Sequence, residues 1–115
     1  MTDTSLKAQI EAEMKRTAFQ RKAVARMPAG EVLDLAVAFF QERGYRAGRT
    51  GRPNQMFVMG GREGILPRVT GEIKVQADVG KAKVTMVTMD AVGEQLGPAM
   101  AAFAQDLRAR RQAAS

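Results

Sequence analysis

The run Arg68–Met89, RVTGEIKVQADVGKAKVTMVTM, constrains the fold of this chain more than any other stretch. Val69, Gly71, Ile73, Val75 and Ala77 alternate with Thr70, Glu72, Lys74, Gln76 and Asp78. A period of two sustained this long marks a strand with one buried and one wetted face. Asp78–Lys81 supplies the turn, where Gly80 is free to take positive φ, and the β-branched run Val84–Thr88 returns beside it. The hairpin commits its Val69, Ile73 and Val75 face to a helical layer. Its Thr70, Glu72, Lys74 and Gln76 face meets water, another helix or a partner.

That helical layer is legible on both sides of the hairpin. Upstream, Val32, Leu33, Ala36, Val37, Phe39 and Phe40 form a broad apolar face over about Glu31–Arg43, with Glu31, Asp34, Gln41 and Glu42 opposite. Gly44 is placed to end this helix as a C-terminal cap. Downstream, Met100, Phe103, Ala104 and Leu107 repeat at helical spacing, and Pro98 suits a first helical position. Gln112 to Ser115 are expected to fray. The segment between Gly44 and the hairpin predicts short strands at Tyr45–Thr50 and Gln55–Met59, joined by Gly51-Arg52-Pro53-Asn54.

The N-terminal stretch reads as a first helix, capped at Thr2, Asp3 or Thr4 and running to about Arg26. Leu6, Ile10, Met14, Thr17 and Val24 fall on one narrow stripe, with Phe19 pointing away. So thin a stripe suits a helix lying on a surface or pairing with a second subunit. Met27-Pro28 then breaks the pattern. The expected architecture is α+β: a four-stranded antiparallel sheet, two core helices on one face, and the extra N-terminal helix. Residues 1–28 form an arm or dimerisation element, 29–111 a single domain, and 112–115 a tail.

Composition then limits the chemistry. The chain contains no cysteine and no histidine, which removes disulfides, thiol nucleophiles, the Ser-His-Asp relay and histidine-based metal sites. Its twelve acidic residues show no D-x-D-x-D spacing. Gly44, Gly48 and Gly51 do not make G-x-G-x-x-G, and Gly80-Lys81 lacks the rest of a P-loop. A non-enzymatic protein with no cofactor and no metal is the expectation. Lacking an apolar leader or membrane-length run, it reads as cytoplasmic.

The net charge of +6 and pI near 10.3 favour a polyanionic partner. Residues 45–68 hold five arginines and one acid, so charge is focused there. Glycines let backbone approach phosphate, and guanidinium offers a planar fork of donors. The leading expectation is therefore a nucleic-acid-binding protein, for DNA or RNA, gripping the phosphate backbone with this segment. Its contacts would be Arg43, Arg46, Arg49 and Arg52, with Arg62 and Arg68 beyond the loop. Tyr45 would offer a stacking surface and Asn54 a hydrogen bond. One geometric tension is visible: arginines three apart on an extended strand alternate faces.

The alternative is a protein-interaction module or homodimeric adaptor. Leu6, Ile10, Met14, Thr17 and Val24 would then form the interface with the open sheet face. A third reading, an apolar-ligand carrier, predicts a cavity beside Met86 and Met100. Met56, Met59, Met86, Met89 and Met100 would all line the contact between sheet and helices.

Overall fold

A computed structural model describes the backbone of residues 2–114 and the side chains of residues 5–110. The elements in chain order are α1 (Thr2–Thr17), β1 (Phe19–Ala25), α2 (Ala29–Glu42), β2 (Arg46–Arg49), β3 (Gln55–Gly60), β4 (Val69–Val79), β5 (Val84–Ala91) and α3 (Leu96–Ala114). The class is α+β, and the sheet is antiparallel throughout, in the order β1-β5-β4-β3-β2. The chain enters the sheet at one edge, crosses through α2 to the other, and returns by a meander that ends against β1.

Two sequence expectations are corrected here. The sheet has five strands, not four, and the first helix stops at Thr17 rather than near Arg26. Phe19–Ala25 instead pairs with β5 over its full length, from Phe19 opposite Ala91 to Ala25 opposite Thr85. The residues therefore lie within the sheet and not in an N-terminal arm of 1–28. The physical reason is on β5, where Thr85, Val87, Met89 and Ala91 are all buried. A strand that buries one face so completely is poorly served at an edge, and β1 supplies the missing ladder. Phe19, Ala23 and Ala25 then sit on the helix side and Val24 on the opposite face. The stripe drawn through Val24 had joined two different periodicities.

The hairpin keeps its expected faces. Val69, Ile73 and Val75 are buried, while Thr70, Lys74 and Gln76 are exposed. The register slips between Gln76 and Val79, and the turn falls at Gly80–Lys83 rather than Asp78–Lys81. Asp78 and Lys83 both adopt positive φ, at 56° and 52°.

Helix α2 ends as expected at Gly44, with φ 87°. The Gly44 N–H donates to Gln41 O at 3.0 Å and the Tyr45 N–H to Phe40 O at 3.0 Å. This is a Schellman cap, and the Tyr45 ring packs on Phe40 at 6.1 Å as the accompanying apolar contact. Phe40 and Phe39 also meet Phe103 of α3, at 5.9 and 5.2 Å, closing the helical layer. Helix α3 starts two residues before Pro98, still within the first turn, where a missing N–H is harmless. It continues to Ala114, so the expected tail at 112–114 is helical, and Ser115 lies outside the described residues.

Close approach requires glycine at Gly71 and Gly93 among other positions. A Cβ on Gly71 would stand 2.7 Å from the Met100 methyl and 3.0 Å from Asp90 O, so α3 packs directly on β4 backbone. Gly93 (φ 124°) would place a Cβ 2.6 Å from Val69. Its N–H is accepted by Thr17 Oγ1 at 3.0 Å, which ties the base of α1 to the start of α3.

Candidate functional site: the two edges and the projecting helix

The Arg43–Arg68 segment lies along the β2 edge, and the fold divides its arginines. Arg46 is in register with Met59 and Arg49 with Met56. Met56 is buried under α2, whereas Met59 follows Thr70 onto the open face, so the two arginines point to opposite sides of the sheet. The three-residue spacing has its expected consequence, and neither Gly48 nor Gly51 cancels it. Arg49 turns to α2, where Nη2 donates to Asp34 Oδ1 and Gly30 O at 2.8 Å each. Arg43 also folds back on α2. Its guanidinium lies 3.4 Å from the Phe39 ring centroid and donates to Phe39 O at 3.2 Å.

Tyr45 is half-buried, its ring packed edge-on with Phe40 in the Schellman contact. Burial, followed by the charge of Glu63, pushes its hydroxyl above the ordinary value of 10.0. Asn54 is held through its carbonyl, which accepts the Val75 N–H at 3.0 Å. Arg52 closes the β2–β3 loop by donating its backbone N–H to Thr50 Oγ1 at 3.1 Å. Arg46, Arg52, Arg62 and Arg68 are exposed and form no ion pair among the described residues. The eight residues thus comprise structural groups and scattered cations on two faces.

The opposite edge carries a basic cluster that sequence reasoning placed on a helix and so missed. Gln20, Arg21 and Lys22 are consecutive and exposed on β1. Alternation sends Arg21 to the α3 side with Phe19 and Lys22 to the open face with Val24. Arg108 of α3 joins them around a groove of about 350 Å³ that wraps the strand edge, lined by Ala23 and Ala104 on the helix side and by Val24 and Met86 on the open face. None of Arg21, Lys22 and Arg108 forms an ion pair among the described residues. The signal within the strand was weak: Arg21 interrupts the face shared by Phe19, Ala23 and Ala25, and Val24 between the alanines is apolar and half-buried.

The open face itself is mixed. Glu72 and Asp90 stand opposite each other on β4 and β5, with Glu72 accepting from Gln55 Nε2 at 2.5 Å and 3.3 Å from Lys74 Nζ. Met86 lies on this face, while Met100 lies under Gly71 on the other, so the two do not share a cavity. Met59 is likewise on the open face, and only Met56, Met89 and Met100 of the five methionines are buried with the helices. Among the described residues no group of three or more acidic side chains could hold a metal ion, and no helix is long and apolar enough to cross a membrane.

Helix α1 projects from the domain. The molecule measures 56 × 27 × 26 Å, with a radius of gyration of 15.5 Å against about 13 Å for a compact domain of this size. Only the base of α1 is tied down. Thr17 bonds Gly93, and Arg16 grips Glu13 in a two-pronged pair at 2.6 and 2.8 Å while reaching Glu94 at 3.5 Å. The Arg16 hydrogen bonds hold the Glu13 carboxyl below its ordinary value. Ile10 packs at the margin of the core, but Leu6 and Met14 on the same stripe are 51% and 42% exposed.

Comparison with family models, with curated proteins and with solved structures finds no match to this chain, so its function must be argued from the molecule's own geometry.

Proposed function

We propose that this chain is a protein-interaction module that assembles as a homodimer through the projecting half of α1. The observation that carries this reading is the overhang. The stripe Leu6–Ile10–Met14 is satisfied at Ile10, while Leu6 and Met14 remain open. A sixteen-residue helix is about 24 Å long, and one that overhangs its own domain leaves an apolar side for another body to cover. A second copy brings the same helix with the same open Leu6 and Met14, so one two-fold operation covers both stripes. Interfaces of this extent sit at the small end of the specific range, so the dimer dissociates on dilution.

Light scattering across a concentration series tests this. The full chain should shift from monomer to dimer, and both removal of residues 1–9 and the double change Leu6→Ser with Met14→Ser should leave a monomer with an intact sheet. These variants spare Ile10, Glu13 and Thr17, which anchor the helix base. A full chain that stays monomeric at ~1 mM, or variants as dimeric as the parent, ends the reading.

Nucleic-acid binding through Arg43–Arg68 stands second, supported by Arg46, Arg52, Arg62 and Arg68, which form no ion pair among the described residues, and by the net charge of +6. It requires salt-sensitive binding to DNA or RNA at ~50 mM salt that Arg46→Ala with Arg52→Ala weakens.

A further inference from the structure

We infer that the outer edge of β1 receives an extended acidic peptide segment, which adds to the sheet as a sixth strand. The argument begins with the backbone. In an antiparallel ladder alternate residues of an edge strand turn their N–H and C=O groups outward. No backbone group of Phe19–Ala25 is used by any turn, loop or cap among the described residues. Gln20, Arg21 and Lys22 are exposed, and Ala23 and Val24 are half-covered, so this row of donors and acceptors is open along the strand. An incoming strand would find main-chain partners along this row and side-chain space in the adjoining groove over Ala23, Val24, Met86 and Ala104.

Charge selects the occupant. Arg21 and Lys22 point to opposite sides of the sheet, and Arg108 overlooks the Arg21 side from α3. A peptide strand with acidic residues on both faces would meet a cation on each. The carboxylates nearby do not neutralise them: Asp106 is held by Arg110 at 2.9 Å, and Asp90 stands opposite Gln20 and forms no ion pair among the described residues. Glu72, across from Asp90, is engaged by Gln55 and Lys74.

The same charges argue against two other occupants. Two-fold antiparallel pairing of β1 with β1 of a second copy, centred on the exposed residues, brings Arg21 opposite Arg21 or Lys22 opposite Lys22, and like charges directly opposite are destabilising. Single-stranded nucleic acid finds no stacking platform, because the one aromatic on this strand, Phe19, is turned toward Gly97. The β2 edge is a poorer acceptor still. It is only four residues long, and one of its two arginines is already tied to α2.

The probe is a fluorescently labelled peptide of about ten residues built from Glu-Glu-Val-Val repeats, which set Glu on both faces of a strand and are long enough to span the seven residues of β1. Anisotropy with the full chain should show saturable binding. It should weaken about tenfold for Arg21→Glu with Lys22→Glu, a pair of exposed positions, and be unchanged by Leu6→Ser with Met14→Ser. A peptide N-methylated at alternate residues should bind at least about tenfold more weakly when the methyls face β1, because the main-chain donors are lost. Amide shifts on titration should concentrate in 19–25 and spare 46–49. Four outcomes overturn the inference: no binding of the Glu-Val peptide at ~1 mM, equal binding of a Lys-Val peptide, indifference to N-methylation, or tighter binding of a single-stranded oligonucleotide lost in the Arg21/Lys22 variant. The Leu6/Met14 control separates this surface from the α1 dimer, since either can fail without the other.

Discussion

The two edges of the sheet carry the same kind of charge and use it differently. At β2, Arg49 spends its guanidinium on Asp34 and the Gly30 carbonyl, and Arg43, just upstream, lies on Phe39. These side chains fasten a short, four-residue strand to the helix above it. At β1, Arg21 and Lys22 have no such partner among the described residues, and the seven-residue strand is secured instead by its ladder to β5 and by α3. An arginine-dense segment in the sequence is thus partly a fastening, while a sparser one presents its charge to solvent. Charge density along the chain is a poor guide to available charge, because engagement is decided by what stands opposite.

This contrast can be broken by mutation. Phe40→Ala should have the largest effect, about 3–5 kcal/mol in urea unfolding, since it removes the ring on which Tyr45 and Phe103 both pack. Recovery of most of that stability in the variant would show that the β2 edge does not depend on the α2 cap. Smaller effects separate the arginines. Arg49→Ala should lose roughly 0.2–1 kcal/mol, as expected for an exposed ion pair, whereas Lys22→Ala should stay within about 0.5 kcal/mol of the parent. Equal losses at the two sites would erase the distinction drawn between the edges.

The finest probe is Tyr45, the chain's single tyrosine, whose ionisation can be followed by ultraviolet absorbance without interference. It should titrate above its ordinary value of 10.0, chiefly because it is buried. The sign follows from linkage: a raised folded pKa stabilises the fold fully below the unfolded value, and that contribution is lost as pH climbs through the folded one. A Tyr45 that titrates like a free phenol would mean that the ring leaves Phe40 and is free to face a ligand.

Much of this architecture was legible in the residues. The alternation of Val69–Ala77 defined β4 and its faces, the apolar face of α2 was visible, and Gly44 marked its end. Each is a local signal, set by side-chain period or by the conformational freedom of one residue. The Arg46/Arg49 divergence was equally readable, as a consequence of strand geometry. The β1 strand was not, because Leu6, Ile10, Met14 and Thr17 extend a helical rhythm that Val24 happens to continue.

The sequence by itself therefore determined the class, the central hairpin, the helical layer and the absence of histidine and cysteine chemistry. Only the tertiary structure decided that residues 19–25 are a strand, since the unmet ladder of β5 lies more than sixty residues away along the chain. It also decided which cations are engaged. Asp34 and Arg49 meet because α2 packs over β2, and Arg108 lies beside Arg21 because α3 returns over β1, placements that no local window contains.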